Sequence, residues 1–156
     1  MNKTAILSDD RKHRYSLDRI WDNEKPFVLF IGLNPSTANE KNDDPTIRRC
    51  MSFSKDWGYG GIRMVNLFSI RATDPKVMLN YDQPTDDNND FYLLNSAACS
   101  GVIVCAWGNY GSHLGRDQKV KELLTGYRLM CFDITKKGQP KHPLYIKSDK
   151  KLIQYI

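Results

Sequence analysis

Four short apolar runs constrain the fold of this chain more than any other feature of its sequence. They are FVLFIGL, IRMVNLF, GVIVCAW and RLMCFDI, at residues 27–33, 62–68, 101–107 and 128–134. Each run is nearly continuous rather than alternating, a pattern typical of strands that are buried on both faces of a parallel sheet. Stretches with helical spacing separate the runs. Strands that alternate with helices predict an open α/β sheet with right-handed crossovers.

Three helices are predicted between the runs, and a short strand or ordered arm, HRYSLDRIW, precedes the first run. Asp44 is a candidate N-cap for the first helix, with Pro45 at its first position. The third helix should end near Gly126, because glycine favours helix C-termini. Each predicted helix has a set of residues expected to be buried. They are Ile47, Met51 and Phe53 or Ser54 in the first helix, Phe91, Leu94 and Ala98 in the second, and Val120, Leu123 and Leu124 in the third.

Composition indicates a single domain spanning residues 1–156. A hydrophobic content of 40% and a charged content of 26% exclude a disordered chain. The segment MNKTAILSDDRKHR lacks the apolar core of a signal peptide, and the longest apolar stretch, 27–33, is too short to cross a bilayer. The four cysteines show no C-x-x-C spacing. We therefore expect no zinc site and a reduced, cytoplasmic location, with Cys105 and Cys131 in the core.

The formal net charge is +5, and the positive excess lies in the C-terminal third of the chain. Residues 116–151 contain ten Lys or Arg against four Asp or Glu. Such a basic stretch favours a polyanionic partner, a nucleic acid or nucleotide first. A solvated basic face without a partner is the alternative, and the sequence indicates no particular protein partner.

The segments that follow the four runs are rich in Gly, Pro, Asn, Thr, His and Arg. They are NPSTANEKNDDPT, NLFSIRATDP, AWGNYGSHLGR and TKKGQPKHPLY. In open α/β sheets, ligands bind beyond the carboxyl ends of the strands. Four such loops at one predicted edge therefore predict a single pocket to which all of them contribute.

The first two loops place asparagines at predicted strand ends. Gly32 and Pro35 hold Asn34 where its amide can orient a water or a base, and Ser36 offers donors to an anion. An Asx-turn that only closes the loop is the alternative for Asn34. Asn66 lies inside an apolar run, where an unpaired amide costs about 1–3 kcal/mol. It therefore bonds a neighbouring loop, or it presents a donor and an acceptor to a base.

Two arginines in the later loops are candidate anion ligands. Arg71 can hold a phosphate or carboxylate, or it can pair with Asp74 and shape the loop. Arg116 can contact a phosphate, with a surface salt bridge as the alternative. The motif G-x-G-x-x-G and the P-loop motif are both absent, so no dinucleotide or triphosphate site is predicted.

One of the three histidines has a site-like context. His142 precedes Pro143, which forces it toward an extended conformation at the end of the last loop. We expect His13 to be exposed, and His113 to join the pocket or cap a helix. The chain has no H-E-x-x-H motif and no His/Cys cluster, so a metal is not implied, and without G-x-S-x-G serine hydrolysis has little support.

The motifs together resemble a known family. In the order YSLDRIW, GLNPSTA, DDPTIRRC, WGYGGIRMVNLFSIRATDP, AWG and HPLY, they are similar to a bacterial and phage family filed as domain of unknown function 1643. Several unbroken motifs occur in the right order across nearly the whole chain, so the resemblance is specific. It bears on the fold more than on the function.

A more distant resemblance, to the uracil-DNA glycosylase superfamily, carries the chemistry. That superfamily has a short central parallel sheet, which implies an open three-layer sandwich here. Its motifs are similar to Gly32-Leu33-Asn34-Pro35, Val65-Asn66, Trp107-Gly108 and His142-Pro143. The resemblance implies that Asn34 positions the attacking water, Asn66 reads the base and His142 bonds the departing base. It also places Trp107 and Gly108 in the substrate site.

Some positions depart from the superfamily's pattern. Asn34 and Ser36 stand where the uracil-specific branch has Asp and Tyr. Leu144-Tyr145 stands where its last motif continues with Ser-Pro, which presents backbone to DNA. Asp43 or Asp44 is a candidate for the missing carboxylate, with a helix cap as the alternative for Asp44.

We therefore expect a domain that hydrolyses the N-glycosidic bond of a modified base through an oxocarbenium-like transition state, with no cofactor. A base in duplex DNA has to flip into the pocket, where Trp57, Tyr59 or Phe68 would stack on it unless they belong to the core. One alternative is a nucleotide- or nucleic-acid-binding module without catalysis. Another is a Mg²⁺-dependent nucleotide-processing enzyme that uses Asp43 or Asp44.

Overall fold

The computed structural model describes all 156 residues and contains seven β-strands in one mixed sheet. The strands are β1 Asn2–Leu7, β2 Arg14–Ile20, β3 Phe27–Gly32, β4 Gly61–Asn66, β5 Val102–Cys105, β6 Leu129–Cys131 and β7 Ile153–Gln154. Their order across the sheet is β1-β2-β4-β3-β5-β6-β7. The four central strands lie in the four apolar runs and pair in parallel, whereas β1, β2 and β7 pair antiparallel.

Four α-helices cover the sheet: α1 Pro45–Asp56, α2 Pro75–Leu79, α3 Asp87–Cys99 and α4 Arg116–Leu123. Short 3-10 helices span Asn109–Gly115 and Pro143–Tyr145. The helix α1 begins where the sequence predicted, because the Asp44 carboxylate accepts a hydrogen bond from the Ile47 N–H at 2.9 Å and Pro45 follows Asp44. No helix combines the length and the apolarity that are needed to cross a membrane.

Alternate residues of the central strands face two separate cores. Val28 and Phe30 of β3 pack in one core with α1, whereas Leu29 and Ile31 pack in a second core with α3 and α4. Both faces of the strand are therefore buried, which accounts for the continuous apolar runs. The predicted α/β class is confirmed: helices on both faces enclose a central, mostly parallel sheet in a three-layer sandwich.

The buried face of α3 differs from the prediction. The three apolar residues expected to be buried are exposed: Phe91, Leu94 and Ala98. The residues that α3 buries are Asn89, Leu93, Ser96 and Ala97. The Asn89 Nδ2 donates to the backbone oxygens of Asn66 and Leu67 at 2.9 and 3.2 Å. Asn89 thus lies on the buried face because it satisfies two carbonyl oxygens at the end of a strand. The spacing of the apolar residues therefore predicted the wrong buried face for α3.

The N-terminal segment forms two strands, of which the sequence predicted at most one. The stretch HRYSLDRIW contains β2, which pairs with β4, so it is a strand rather than an arm. The strands β1 and β7 lie at the two edges of the sheet and are largely exposed, so neither has the apolar run of a buried strand. His13, expected to be exposed, is half-buried, and its Nδ1 lies 2.8 Å from Ser69 Oγ.

Other residues expected in the core are found there. Cys105 and Cys131 are buried. Phe68 lies in the second core, and Trp57 and Tyr59 pack against the first. None of the three aromatic side chains lines the cavity described below, so they act in packing rather than in stacking on a ligand.

Candidate functional site

A cavity of about 610 Å³ opens at the carboxyl ends of β3, β4 and β5. All four predicted loops contribute to it: those after β3, β4 and β5, and the segment after β6 through Pro143–Tyr145. The N-terminus of α1 also lines it. Its volume lies within the range of small-molecule and cofactor sites.

Most of the residues singled out in the sequence lie around this cavity. Those that line it are Gly32, Asn34, Ser36, Asp44, Asn66, Trp107, Gly108 and His142. Those that lie outside it are Pro35, Asp43, Arg71 and Arg116. The fold thus brings Asn34, Asn66 and His142 to one cavity, although they follow three different strands.

Asn34 is fixed at the end of β3 through its amide nitrogen. The Nδ2 donates to the carbonyl oxygens of Ala72 and Pro35 at 2.9 and 3.1 Å. These two bonds use both N–H groups, so the side chain has only its Oδ1 left to offer a ligand. An acceptor held in this way at a cavity wall can orient a water molecule through one of its O–H bonds.

Asn66, at the end of β4, is 3% exposed, and its Nδ2 has no hydrogen-bond partner in the protein. A buried donor without a partner costs about 1–3 kcal/mol, so a ligand that accepts from Nδ2 recovers that free energy. Gly32 lies beside Asn66 in the register of β3 and β4. A Cβ at position 32 would lie 2.7 Å from Asn66 Oδ1, so glycine there leaves room for the amide.

His142 presents a defined tautomer to the cavity. Its Nδ1 accepts from the Leu144 N–H at 3.2 Å, which leaves the proton of the neutral ring on Nε2. Burial lowers the pKa of His142 below its ordinary 6.5, although the nearby Asp44 carboxylate opposes that shift. At neutral pH the ring is therefore uncharged, with Nε2–H as its free donor.

The two adjacent carboxylates have different environments. Asp44 lines the cavity while its Oδ1 caps α1. Asp43 lies outside and binds Arg19 Nε at 2.7 Å, with Lys3 Nζ at 3.6 Å. Burial alone would raise the pKa of Asp43, but the hydrogen bond and charge of Arg19 hold that pKa below its ordinary value. Asp43 is therefore engaged in structure, and Asp44 is the carboxylate of the cavity.

Arg71 holds the loop after β3 from behind the cavity. Its guanidinium donates to the backbone oxygens of Ser36 and Thr37, both at 3.2 Å. The alternative pairing with Asp74 does not form, because that carboxylate caps α2 through the Lys76 N–H at 2.9 Å. Arg71 thus shapes a wall of the cavity without lining it.

Arg116 is buried away from the cavity. Its Nε donates to the Leu67 carbonyl oxygen at 3.0 Å, and its Nη2 donates to Asp90 Oδ1 at 2.8 Å. These bonds tie α4 to the end of β4 and to α3. The arginine is therefore neither a surface salt bridge nor a group that a ligand in the cavity can reach. His113, another candidate for the pocket, packs against Phe68 outside it.

Trp107 and Gly108 line the cavity beyond β5. The Trp107 Nε1–H donates to Gln139 Oε1 at 2.8 Å, and Gln139 Nε2 donates to Asp117 Oδ2 at 2.9 Å. Gly108 has a φ of +74°, and its N–H donates to the Pro140 carbonyl oxygen at 2.8 Å. With the indole N–H engaged, Trp107 offers a ligand only its ring carbons.

Sequence reasoning missed Arg14, a buried arginine in the cavity wall. It is 2% exposed and opens β2. The antiparallel pairing of β2 with β4 brings this first residue close to the carboxyl end of β4. An arginine at the start of a strand is ordinarily exposed. Only the direction of β2 in the sheet could have revealed its place, and the sequence did not predict that direction.

No group of three or more His, Cys, Asp or Glu side chains is arranged to hold a metal ion. The chain matches a family model described as protein of unknown function (DUF1643) over residues 14–144. No curated protein and no solved structure matches the chain significantly. Chemical inference therefore depends on the cavity itself.

Proposed function

We propose that this chain, which belongs to the family described as protein of unknown function (DUF1643), binds a nucleobase in its cavity and hydrolyses the N-glycosidic bond that carries it. The observation that supports this most is the meeting of Asn34, Asn66 and His142 at one cavity. Each offers an atom that the reaction needs and that the protein itself leaves free. The resemblance of the surrounding motifs to uracil-DNA glycosylases points to the same reaction.

The three side chains divide the work as follows. Asn66 Nδ2 donates to an acceptor on the base edge. A base that lacks this acceptor leaves the buried amide unpaired, so the contact discriminates among bases. Asn34 Oδ1 accepts from a water and holds it near the anomeric carbon of the sugar. His142 Nε2–H, on a neutral ring, donates to an oxygen or nitrogen of the departing base.

In the reaction, the bond between the anomeric carbon and the base nitrogen breaks, and its electron pair goes to the base. The sugar passes through an oxocarbenium-like state, and the water oxygen bonds to the anomeric carbon. The negative charge that develops on the base is stabilised by a preorganised donor, His142 Nε2–H. Asp44, the carboxylate of the cavity, stabilises the cationic sugar and accepts the proton that the water loses. The base anion takes up a proton from solvent, and Asp44 releases its proton to solvent.

The surroundings of the cavity favour a nucleic acid as the source of the base. Tyr145, beside the cavity, is 84% exposed, and Leu144 is exposed next to it. Exposed aromatic and apolar side chains stack on unpaired bases. The exposed Lys136 and Lys137, in the basic C-terminal third, add positive charge. Affinity for a strand should fall steeply with salt, and Lys136→Glu with Lys137→Glu should weaken binding equally for all sequences.

The test is a base-release screen in the presence of EDTA, over single- and double-stranded DNA that carries many modified bases. We expect the wild-type protein to release at least one base without metal, and to leave an abasic site. Release that requires Mg²⁺ would favour the nucleotide-processing alternative instead. No release from any substrate would contradict the proposed activity.

A second candidate, a binding module without turnover, is favoured by one specific feature. Asn34 stands where the uracil-specific glycosylases have a carboxylate, and an amide cannot take a proton from water. Asp44 has one oxygen committed to the α1 cap. Tight binding of nucleotides together with no turnover in the screen would establish this candidate.

A further inference from the structure

We propose that the cavity also holds a phosphate group, with Arg14 as its main ligand, so that the molecule recognised is a nucleotide unit rather than a free base or nucleoside. This inference rests on the proposed function, because it places the base of the same ligand at Asn66. The observations that support it are the unpaired polar atoms of Arg14 and the donors that line the same cavity.

Arg14 is a buried cation that the protein does not pair with a carboxylate. None of the eight ion pairs includes it. Its Nη1 donates to the Ala38 carbonyl oxygen at 2.9 Å, whereas its Nε is buried and has no partner. Buried arginines are ordinarily paired, so this one lacks an anion.

The electrostatics agree with an absent anion. Burial lowers the pKa of Arg14 to about 10, helped by the positive charges of Arg71 and Arg19 and opposed by Asp44. The guanidinium is still protonated at neutral pH, so its charge remains in the wall of the cavity without a bound counter-charge. A bound dianion would supply the missing negative charge.

Further hydrogen-bond donors belong to the same cavity as Arg14. Ser36, Thr37 and Thr46 all line the cavity with it. In the first turn of the twelve-residue α1, Pro45 has no N–H and the Ile47 N–H is taken by Asp44, so the Thr46 N–H is the donor left for a ligand. A guanidinium fork together with hydroxyls and one backbone N–H suits a tetrahedral oxyanion.

Two features of the cavity set where the phosphate can lie. Asp44 lines the same cavity and repels an anion, so the phosphate must contact the Arg14 guanidinium, whose positive charge offsets that repulsion. Asn66, with its free Nδ2, lines the same cavity of about 610 Å³, which is large enough for a base, a sugar and one phosphate together. The phosphate can come from a free mononucleotide or from a nucleic-acid strand, since both present the same oxygens.

Calorimetric titration of the wild-type protein tests the proposal without any variant. The ligands are the common deoxynucleosides and deoxyuridine, their 5′-monophosphates, and short single strands that contain the same bases. We expect each 5′-monophosphate that binds to do so about 10- to 100-fold more tightly than the corresponding nucleoside. If mononucleotides bind as tightly as strands, the phosphate comes from a free nucleotide. If strands bind much more tightly, it comes from the phosphodiester of a nucleic acid.

Arg14→Met supplies the second arm, with Arg128→Met as its matched control because Arg128 is exposed and lies outside the cavity. The Arg14 variant should bind nucleotide and nucleoside within about twofold of each other, whereas the control keeps the wild-type difference. Inorganic phosphate should raise the melting temperature of the wild type and of the control but not of the Arg14 variant. If Arg14→Met does not fold, the wild-type titration decides alone.

Equal affinities for nucleosides and nucleotides in the wild type, or no binding of any phosphorylated ligand, would overturn the phosphate site. Base release from nucleosides as fast as from nucleotides would also overturn it, while the proposed glycosidic hydrolysis stands. Tight nucleotide binding that depends on Arg14, without base release, would keep the phosphate site and reject the hydrolysis. The two proposals thus fail on different measurements.

Discussion

The two ends of β2 carry two buried arginines with opposite surroundings. Arg19 is 0% exposed and is enclosed by acceptors: it binds Asp43 Oδ1 at 2.7 Å and donates to the carbonyl oxygens of Asp18, Asn39 and Asn42. Arg14 is equally buried, but it has one carbonyl acceptor and no carboxylate. Burial alone therefore does not indicate the role of an arginine. The acceptors that the protein supplies distinguish a structural cation from one that is open to a ligand.

The same contrast holds for two buried asparagines that lie close together. Asn89 Nδ2 donates twice, to the carbonyl oxygens of Asn66 and Leu67, and so ties α3 to the end of β4. Asn66 Nδ2 donates to nothing in the protein. Arg14 and Asn66, each with an unpaired side-chain nitrogen, line the cavity, whereas Arg19 and Asn89, whose side-chain nitrogens are bonded, do not. Two buried polar atoms that the fold leaves without a partner, Arg14 Nε and Asn66 Nδ2, thus belong to residues of the cavity wall.

The largest expected effect is a difference in the free energy of unfolding between variants of the two arginines. Arg19→Met leaves the Asp43 carboxylate without its buried partner, which should lower the free energy of unfolding by about 3–5 kcal/mol. Arg14→Met removes an unpaired buried charge and one hydrogen bond, so we expect a change of about 1 kcal/mol or less. Urea denaturation measures both. Equal losses in the two variants would mean that Arg14 is as structural as Arg19.

The next effect concerns turnover. Asn34→Ala and His142→Ala should each reduce kcat by about 10²- to 10³-fold with little change in KM, because both groups act on the transition state. His13→Ala is the control, since that histidine lies outside the cavity. Steady-state kinetics in EDTA give the values. Full activity in either cavity variant would remove that residue from the mechanism.

A smaller effect separates the two asparagines. Asn66→Ala should fold normally and lose about 1–3 kcal/mol of discrimination among bases. Asn89→Ala removes two buried hydrogen bonds that tie α3 to the end of β4, so it should lower stability and leave base preference unchanged. Calorimetry and thermal melting on both variants test the pair. An Asn66 variant that melts far below the wild type and binds normally when folded would make Asn66 structural.

The smallest effect is a dependence on pH. Because burial lowers the pKa of His142, the fall of kcat at acidic pH should have its midpoint below pH 6.5, as Nδ1 gains a proton and loses the hydrogen bond from the Leu144 N–H that orients the ring. The folded protein binds fewer protons at this site than the unfolded chain, so the site's contribution to stability also declines as pH falls below 6.5. His142→Gln should remove that part of the stability profile. A midpoint at or above pH 6.5 would contradict the lowered pKa of the ring.

Much of the fold and of the cavity followed from local patterns. The continuous apolar runs indicated strands buried on both faces, and Asp44-Pro45 indicated the start of α1. The strand-end rule needs only the strands and their direction, so it brought Asn34, Asn66 and His142 to one edge. These signals lie within a few residues of the features that they predict.

The missed features depend on contacts between distant segments. Arg14 enters the cavity because β2 runs antiparallel to β4, which no local pattern specifies. Arg71 and Arg116 were expected near a ligand, but carbonyl groups far away in the sequence bind their guanidinium groups. The buried face of α3 is set by Asn89, whose partners lie on another element. In each case a polar group found its partner through tertiary structure.

Observation of the Asn66 side-chain amide tests most directly whether a base occupies the cavity. In ¹⁵N-labelled protein, the Asn66 Nδ2 resonances are assigned by their loss in Asn66→Asp, and the Asn89 resonances provide an internal control. Titration with the base released in the screen should shift the Asn66 signals and slow their exchange with water, while Asn89 stays unchanged. Binding of the base that leaves the Asn66 signals unmoved would contradict base recognition at this site.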